Sequence, residues 1–203
     1  NSSNNSSNSS NSSNVAPPSF GNNQFELSMG RLFLHILKGD KQTFERVLSD
    51  TRSRVMLAVS AASMESYQRT YPQLVKLHLL SELEQGFRLV VTARQGRRHR
   101  SQEERLLDGW DWNGRLDNMS TSLRVRSEVM AARRTILSVA DLDELTAQSW
   151  LQFAKLARKA GNIQMASFAL RQIAAFREMQ TIGEVQEAKL AYAAGQTNRA
   201  LMM

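Results

Sequence analysis

The sequence predicts an all-α protein, a solenoid of antiparallel helical hairpins, and three observations carry that expectation. Helix formers dominate from residue 25 onward, with no convincing run of period-two alternation. No proline follows Pro72. The stretches around Gly161 and Gly195 match at an offset of 34 residues: Lys155/Lys189, Leu156/Leu190, Ala157/Ala191, Ala160/Ala194, Gly161/Gly195 and Ala166/Ala200.

Residues 1–14 contain only Asn and Ser, and so have no apolar surface to offset the entropy of ordering. With the connector Val15–Gln24 and its Pro17–Pro18 pair, they form a disordered segment and linker over 1–24, and the helical region is expected over 25–203. Met29, Phe33, Ile36 and Leu37 recur at helical spacing before Gly39. Phe44, Val47 and Leu48 make a second short helix and Val55–Ala62 a third. Pro72 suits the first turn of a long helix carrying Leu77, Leu80, Leu83 and Phe87. From about 92 to 108 the apolar period stops and charge takes over, which reads as a loop. Trp110 and Trp112 reopen ordered structure, as packing anchors before base-stacking residues, and a helix follows from about Leu123 to Val139.

Asp141 or Asp143 is placed to cap the next helix, which runs to Ala160. Gln152, Lys155, Arg158 and Lys159 make its polar side; Trp150, Phe153, Ala154, Ala157 and Ala160 make the other, with Leu151 an exception. Helices are expected at about 163–178 and 184–194, and a last one from near Asn198. A 34-residue period with an alanine five residues after a turn glycine is the tetratricopeptide pattern. Its small residues let two helices approach closely, and glycine permits the positive φ that ends the first. The structural repeat positions are therefore Trp150, Ala154, Ala157, Gly161, Ala166, Gly195 and Ala200, with Gly39 and Phe44 a more distant copy.

Composition excludes several function classes. With no cysteine there is no disulfide scaffold and no thiolate metal site. No apolar run approaches the roughly 20 residues of a membrane span. The formal charge of +7 is spread along the chain, apart from "RQGRRHR" at 94–100, and reads as a solvated surface before it reads as a nucleic-acid footprint. Phosphate-loop, dinucleotide, HExxH and kinase signatures are all absent. His35, His78 and His99 have no ligand spacing; the first two sit in apolar helices as core or boundary residues and the third in the basic loop. Glu82 and Glu84 lie two apart on one helix and point in different directions, so they form no acid/base pair. No residue earns a catalytic, cofactor-binding or metal-ligating role.

Several blocks nonetheless resemble a known family. "SAASMESYQRTYPQLVKLHLLSELEQ" (60–85) closely resembles a segment of the FAT region of the ATR-type DNA-damage checkpoint kinases, in the phosphatidylinositol-3-kinase-related family. Trp112, Arg115 and Leu116 look like that family's Trp-x-x-Arg-Leu element, and Arg133, Arg134 and "ILS" (136–138) like its paired-arginine helix. "SWLQFAKLARKAGNIQMASFAL" (149–170) is similar over its full length to a repeat of the same region. The resemblance spans roughly 25–203, loosest over 92–108 and 184–203, and carries no catalytic residue to any position here. It implies a non-catalytic scaffold segment, a fragment lacking the kinase domain, in a nuclear serine/threonine kinase of checkpoint signalling and DNA repair. The implied partners are the kinase domain of the parent chain, a second copy and a regulatory subunit. A free-standing tetratricopeptide-like adaptor is the alternative, and direct nucleic-acid binding through 94–100 and 124–134 ranks last. Ser101-Gln102, the only Ser-Gln or Thr-Gln pair, makes Ser101 a candidate phosphosite for such a kinase.

Overall fold

The computed structural model describes residues 22–94 and 112–202, and all of its regular structure is helical. In chain order the helices are α1 (Asn22–Lys38), α2 (Lys41–Ser63), α3 (Tyr67–Arg94), α4 (Trp112–Asp117), α5 (Leu123–Val139), α6 (Asp143–Lys159), α7 (Ile163–Ile173), α8 (Gln180–Ala193) and α9 (Thr197–Met202). A 3₁₀ turn, Arg177–Met179, precedes α8. Each long helix packs on the next, α3 passes directly to α5, and α1 also touches α3 as α6 touches α8. The result is a stack of helices sharing one continuous core, from Phe25 and Leu32 at one end to Ile173 and Leu190 at the other. Among the described residues no helix is long and apolar enough to cross a membrane.

Four of the turns are built alike. At Gly39, Asp141, Gly161 and Gly195, one or two residues past the helix end, φ is positive, at 71°, 55°, 75° and 78°. In each, the next N–H reaches back five residues to a carbonyl of the last helical turn, as in Asp40 to His35, Leu142 to Leu137, Asn162 to Ala157 and Gln196 to Ala191. This is the Schellman closure, which satisfies carbonyls the helix leaves orphaned. Asp40 and Asn162 then cap the following helices, accepting from the N–H groups of Thr43 and Met165. The 34-residue offset thus repeats the backbone closure at Gly161 and Gly195. The same closure at Asp141 lies outside that offset, so the turn geometry alone does not make a tetratricopeptide repeat.

The structure corrects several sequence expectations. The segments around Phe44 and Val55–Ala62 are one helix, α2, because no breaker separates them and Phe44, Leu48, Thr51 and Val55 continue a single buried stripe. The connector expected to reach Gln24 ends sooner, since α1 starts at Asn22. Leu37 faces outward; Phe25, Leu32 and Ile36 carry the inner face of α1. Pro72 sits inside α3, not in its first turn, because helix begins at Tyr67 and its missing N–H falls on an exposed side. That helix continues through Thr92 to Arg94, where a loop was expected; the rest of that stretch, including Trp110, lies outside the described residues. Neither Asp141 nor Asp143 caps α6: Leu142 holds the cap position without a side-chain bond, and Asp141 supplies the left-handed turn.

Leu151 is buried and Ala160 exposed, the reverse of the expected assignment, because α6 is wedged against α5 as well as α7. The helix after Gly161 stops at Ile173, short of 178, while α8 begins at Gln180 and α9 at Thr197, both earlier than expected. Of the repeat positions, Ala154, Ala157 and Ala166 are buried between helices, Trp150 and Ala200 are half-buried, and Gly161 and Gly195 are exposed in their turns.

Two substitutions probe this hairpin. A Cβ at Gly161 would meet nothing within 4 Å, so the cost of Gly161→Val is backbone strain at positive φ, about 1–3 kcal/mol. The space beside Ala166, bounded by Ala154, Leu170 and Leu190, holds no water-sized void, so Ala166→Leu overpacks by about 1–3 kcal/mol. Both are expected to melt below Lys155→Ala, which alters an exposed side chain. Identical melting of all three would show that neither the turn nor the small-residue contact holds α6 to α7.

Candidate functional site: a buried carboxylate between two arginines

The chemistry-bearing side chains that come together are those of Glu82, Arg115 and Arg133. Glu82 projects from the middle of α3 and is fully buried, as is Arg133 on α5. The two form a fork: Arg133 Nη2 donates to Glu82 Oε1 at 2.9 Å and Nε to Oε2 at 3.2 Å. Arg115, from the short helix α4, donates to Ser81 Oγ at 3.0 Å and brings its Nη1 within 3.6 Å of Glu82 Oε1. One carboxylate is therefore shared by two guanidiniums from different helices. Such charge-assisted, bidentate contacts fix geometry as well as supply energy.

The close approach of α3 and α5 has a local cause one turn further along. Gly86 faces Ile136, and a Cβ built there would lie 2.5 Å from Ile136 Cγ2. Only the absent side chain lets the two helices come near enough for the fork to close. Leu116 and Met119 bury the chain around α4, and the N–H of Ser120 donates to the Tyr71 hydroxyl at 2.7 Å. Glu84, two residues from Glu82, points outward to Arg52 and Arg88 at 2.7 and 3.0 Å. As half-exposed surface pairs these contribute ~0–1 kcal/mol each.

Arg134 serves the opposite side of α5. Adjacent helical residues are about 100° apart, so as Arg133 reaches α3 its neighbour reaches α6. The Arg134 guanidinium carbon sits 4.0 Å from the centroid of a Trp150 ring and 4.8 Å from that of Phe153. Burial lowers its pKa to about 10, and its Nη1 has no hydrogen-bond partner among the described residues. It remains a cation at neutral pH, held by aromatic faces. His78, one turn before Glu82, is half-buried; burial first and the neighbouring Arg115 second hold its pKa below the ordinary histidine value, with Glu82 opposing. His35 faces Asp40 at 3.6 Å, and His99 lies outside the described residues.

The arrangement joins helices. Its carboxylate is sealed from solvent, and among the described residues no group of three or more His, Cys, Asp or Glu is placed to hold a metal ion. The sequence reading singled out Arg115, Arg133, Arg134 and Trp150 by resemblance, and set Glu82 aside as one of two unrelated carboxylates. A charged residue amid Leu79, Leu80, Leu83 and Phe87 on an otherwise apolar helix was the signal that could have found it. Ser101 lies outside the described residues.

A family model described as the FAT domain matches residues 5–203. The chain is 28% identical over 158 residues to the serine/threonine-protein kinase ATR of Oryza sativa subsp. indica, covering 77% of this chain. It is 30% identical over 155 residues to ATR of Arabidopsis thaliana, covering 75%, and 29% identical over 164 residues to ATR of Drosophila melanogaster, covering 74%. It spans only 6% of the length of each of these curated relatives. No solved structure gives a significant match.

Proposed function

The chain belongs to the FAT domain family, and from that premise we propose that it is a non-catalytic helical scaffold segment of an ATR-like serine/threonine kinase. The observation that carries this reading is the convergence on one buried carboxylate of the blocks that resemble the family. Glu82 from 60–85, Arg115 from the Trp-x-x-Arg-Leu element and Arg133 from the paired-arginine helix meet there, while Arg134 clamps Trp150 of the 149–170 block. Residues spent on joining helices to one another serve a platform better than they serve chemistry.

On this reading the segment holds a kinase domain in the same polypeptide and assembles with a second copy and a regulatory subunit. It acts in the nucleus, in checkpoint signalling and DNA repair, and its parent phosphorylates Ser or Thr before Gln. Direct nucleic-acid binding is disfavoured because Arg133 and Arg134 are buried in protein contacts and unavailable to phosphates. Ser101 remains a proposed site of modification by such a kinase. The 34-residue offset supports a tetratricopeptide-like stack as the form of the platform.

The test uses antibody capture, from the native cells, of the polypeptide that carries this sequence. Captured material is expected to phosphorylate a Ser-Gln peptide with Mg-ATP, and the purified 203-residue chain is expected not to. Captured material without that activity would favour a free-standing adaptor. Activity of the purified chain alone would refute the scaffold reading.

A further inference from the structure

The face of α1 turned away from the stack carries a pattern of its own. Inward, α1 packs on α2 and α3, burying Phe25, Leu32 and Ile36. Outward, Asn23, Leu27, Gly30, Leu34 and Leu37 follow one another at steps of four, three, four and three residues. Leu27, Leu34 and Leu37 are 67%, 46% and 54% exposed. Alternating steps of three and four residues make one stripe along a helix, the a and d seam of a two-stranded coiled coil. In that frame Leu27 and Leu34 fall at a, and Asn23, Gly30 and Leu37 at d. A Cβ built at Gly30 meets nothing within 4 Å, so the seam is open between Leu27 and Leu34. A contiguous apolar stripe left facing water marks a surface made for contact.

The charges beside the seam indicate what covers it. Glu26 lies at g, immediately before an a position, and Arg31 at e, immediately after the next d; both are exposed. In a parallel pair, g of one helix faces the e that lies five residues further along the other. Glu26 and Arg31 have that spacing. Two copies of α1 running side by side in register therefore set Glu26 of each against Arg31 of the other, twice over by symmetry. In an antiparallel pair g would face g and e would face e, so each flank would meet its own charge. The seam is complementary to a parallel copy of itself.

We propose that the outer face of α1 pairs two copies of this chain as a short parallel coiled coil, with Leu27, Leu34 and Leu37 in the seam and Glu26 and Arg31 as the cross-pairs. So short a seam buries little area, and the association is weak and reversible. The face belongs to this chain alone, so the pairing holds whether or not a kinase domain shares the polypeptide.

The test is sedimentation equilibrium of the full chain over a range of concentrations, with circular dichroism as the check on folding. The parent is expected to dimerise. Leu34→Glu puts a charge into the seam at a position already exposed in the monomer, and is expected to weaken the dimer by about tenfold or more. Glu26→Arg and Arg31→Glu each set like charges across the seam and are expected to weaken it several-fold, while an equal mixture of the two variants should form a heterodimer as tight as the parent. The sequence has no cysteine, so Asn23→Cys introduces a single thiol. Parallel, in-register pairing brings the two thiols together, and a disulfide-linked dimer is expected under mild oxidation. Antiparallel pairing, with Asn23 opposite Leu37, would hold them about 21 Å apart at ~1.5 Å per helical residue. A parent that stays monomeric at every concentration would overturn the proposal. So would a dimer that Leu34→Glu and the charge reversals leave untouched, or one whose introduced thiols do not link.

Discussion

Arg133→Met is expected to cost the fold about 3–5 kcal/mol, because it leaves Glu82 charged, buried and without its fork partner. For a chain of this size that corresponds to a fall in Tm on the order of 10 °C. Arg115, at 3.6 Å, remains to offset part of the uncompensated charge and should hold the loss toward the lower figure. Arg133→Lys is expected to fall between, since an ammonium cannot grip both carboxylate oxygens as the fork does. The informative partner is the double variant Glu82→Leu with Arg133→Met. It removes both charges, and a buried pair replaced by apolar groups of similar volume is often near neutral. Recovery of most of the lost stability would show that the single variant suffers from an orphaned charge. Single variants that melt like the parent would show that the fork does not hold α3 to α5.

The second large effect is expected at Gly86. An added Cβ would come within 2.5, 2.6 and 2.9 Å of three atoms of Ile136, which is fully buried. Gly86→Ala gains about 1 kcal/mol of helix propensity and loses about 1–3 kcal/mol to overpacking. A net loss is expected for Ala and a larger one for Val, whose branched side chain demands more room. Because Glu82 lies one turn away, the same displacement should loosen the fork, so Gly86→Val and Arg133→Met should be less than additive in thermal melts. Trimming the other side, as in Gly86→Ala with Ile136→Val, is expected to restore part of the loss. A Gly86→Val protein as stable as the parent would remove the close approach from the account.

The sequence revealed most where structure is decided within a few residues. The extent of α5, expected from about Leu123 to Val139, is what the structure shows, because that stretch is an uninterrupted helical pattern. The glycine turns at 39, 161 and 195 were legible because only glycine adopts a positive φ freely. The turn at Asp141 was missed for the same reason: aspartate there reads first as a cap, and its left-handed conformation is imposed by the helices it joins. Leu151 was misassigned because a simple two-faced helix was assumed, whereas α6 is covered by neighbours on more than one side.

By itself the sequence determined that the chain is helical, where three of its turns fall, and which blocks resemble the FAT family. These follow from backbone hydrogen bonds spanning a handful of residues, and from a matching order of motifs. Only the tertiary structure decided that Glu82 belongs to Arg133, a partner 51 residues away, and that Gly86 exists to let Ile136 approach. The physical reason is that a buried charge is tolerable only in company. Helix propensity and periodicity do not identify the company, which is settled by which faces the folded helices turn toward one another.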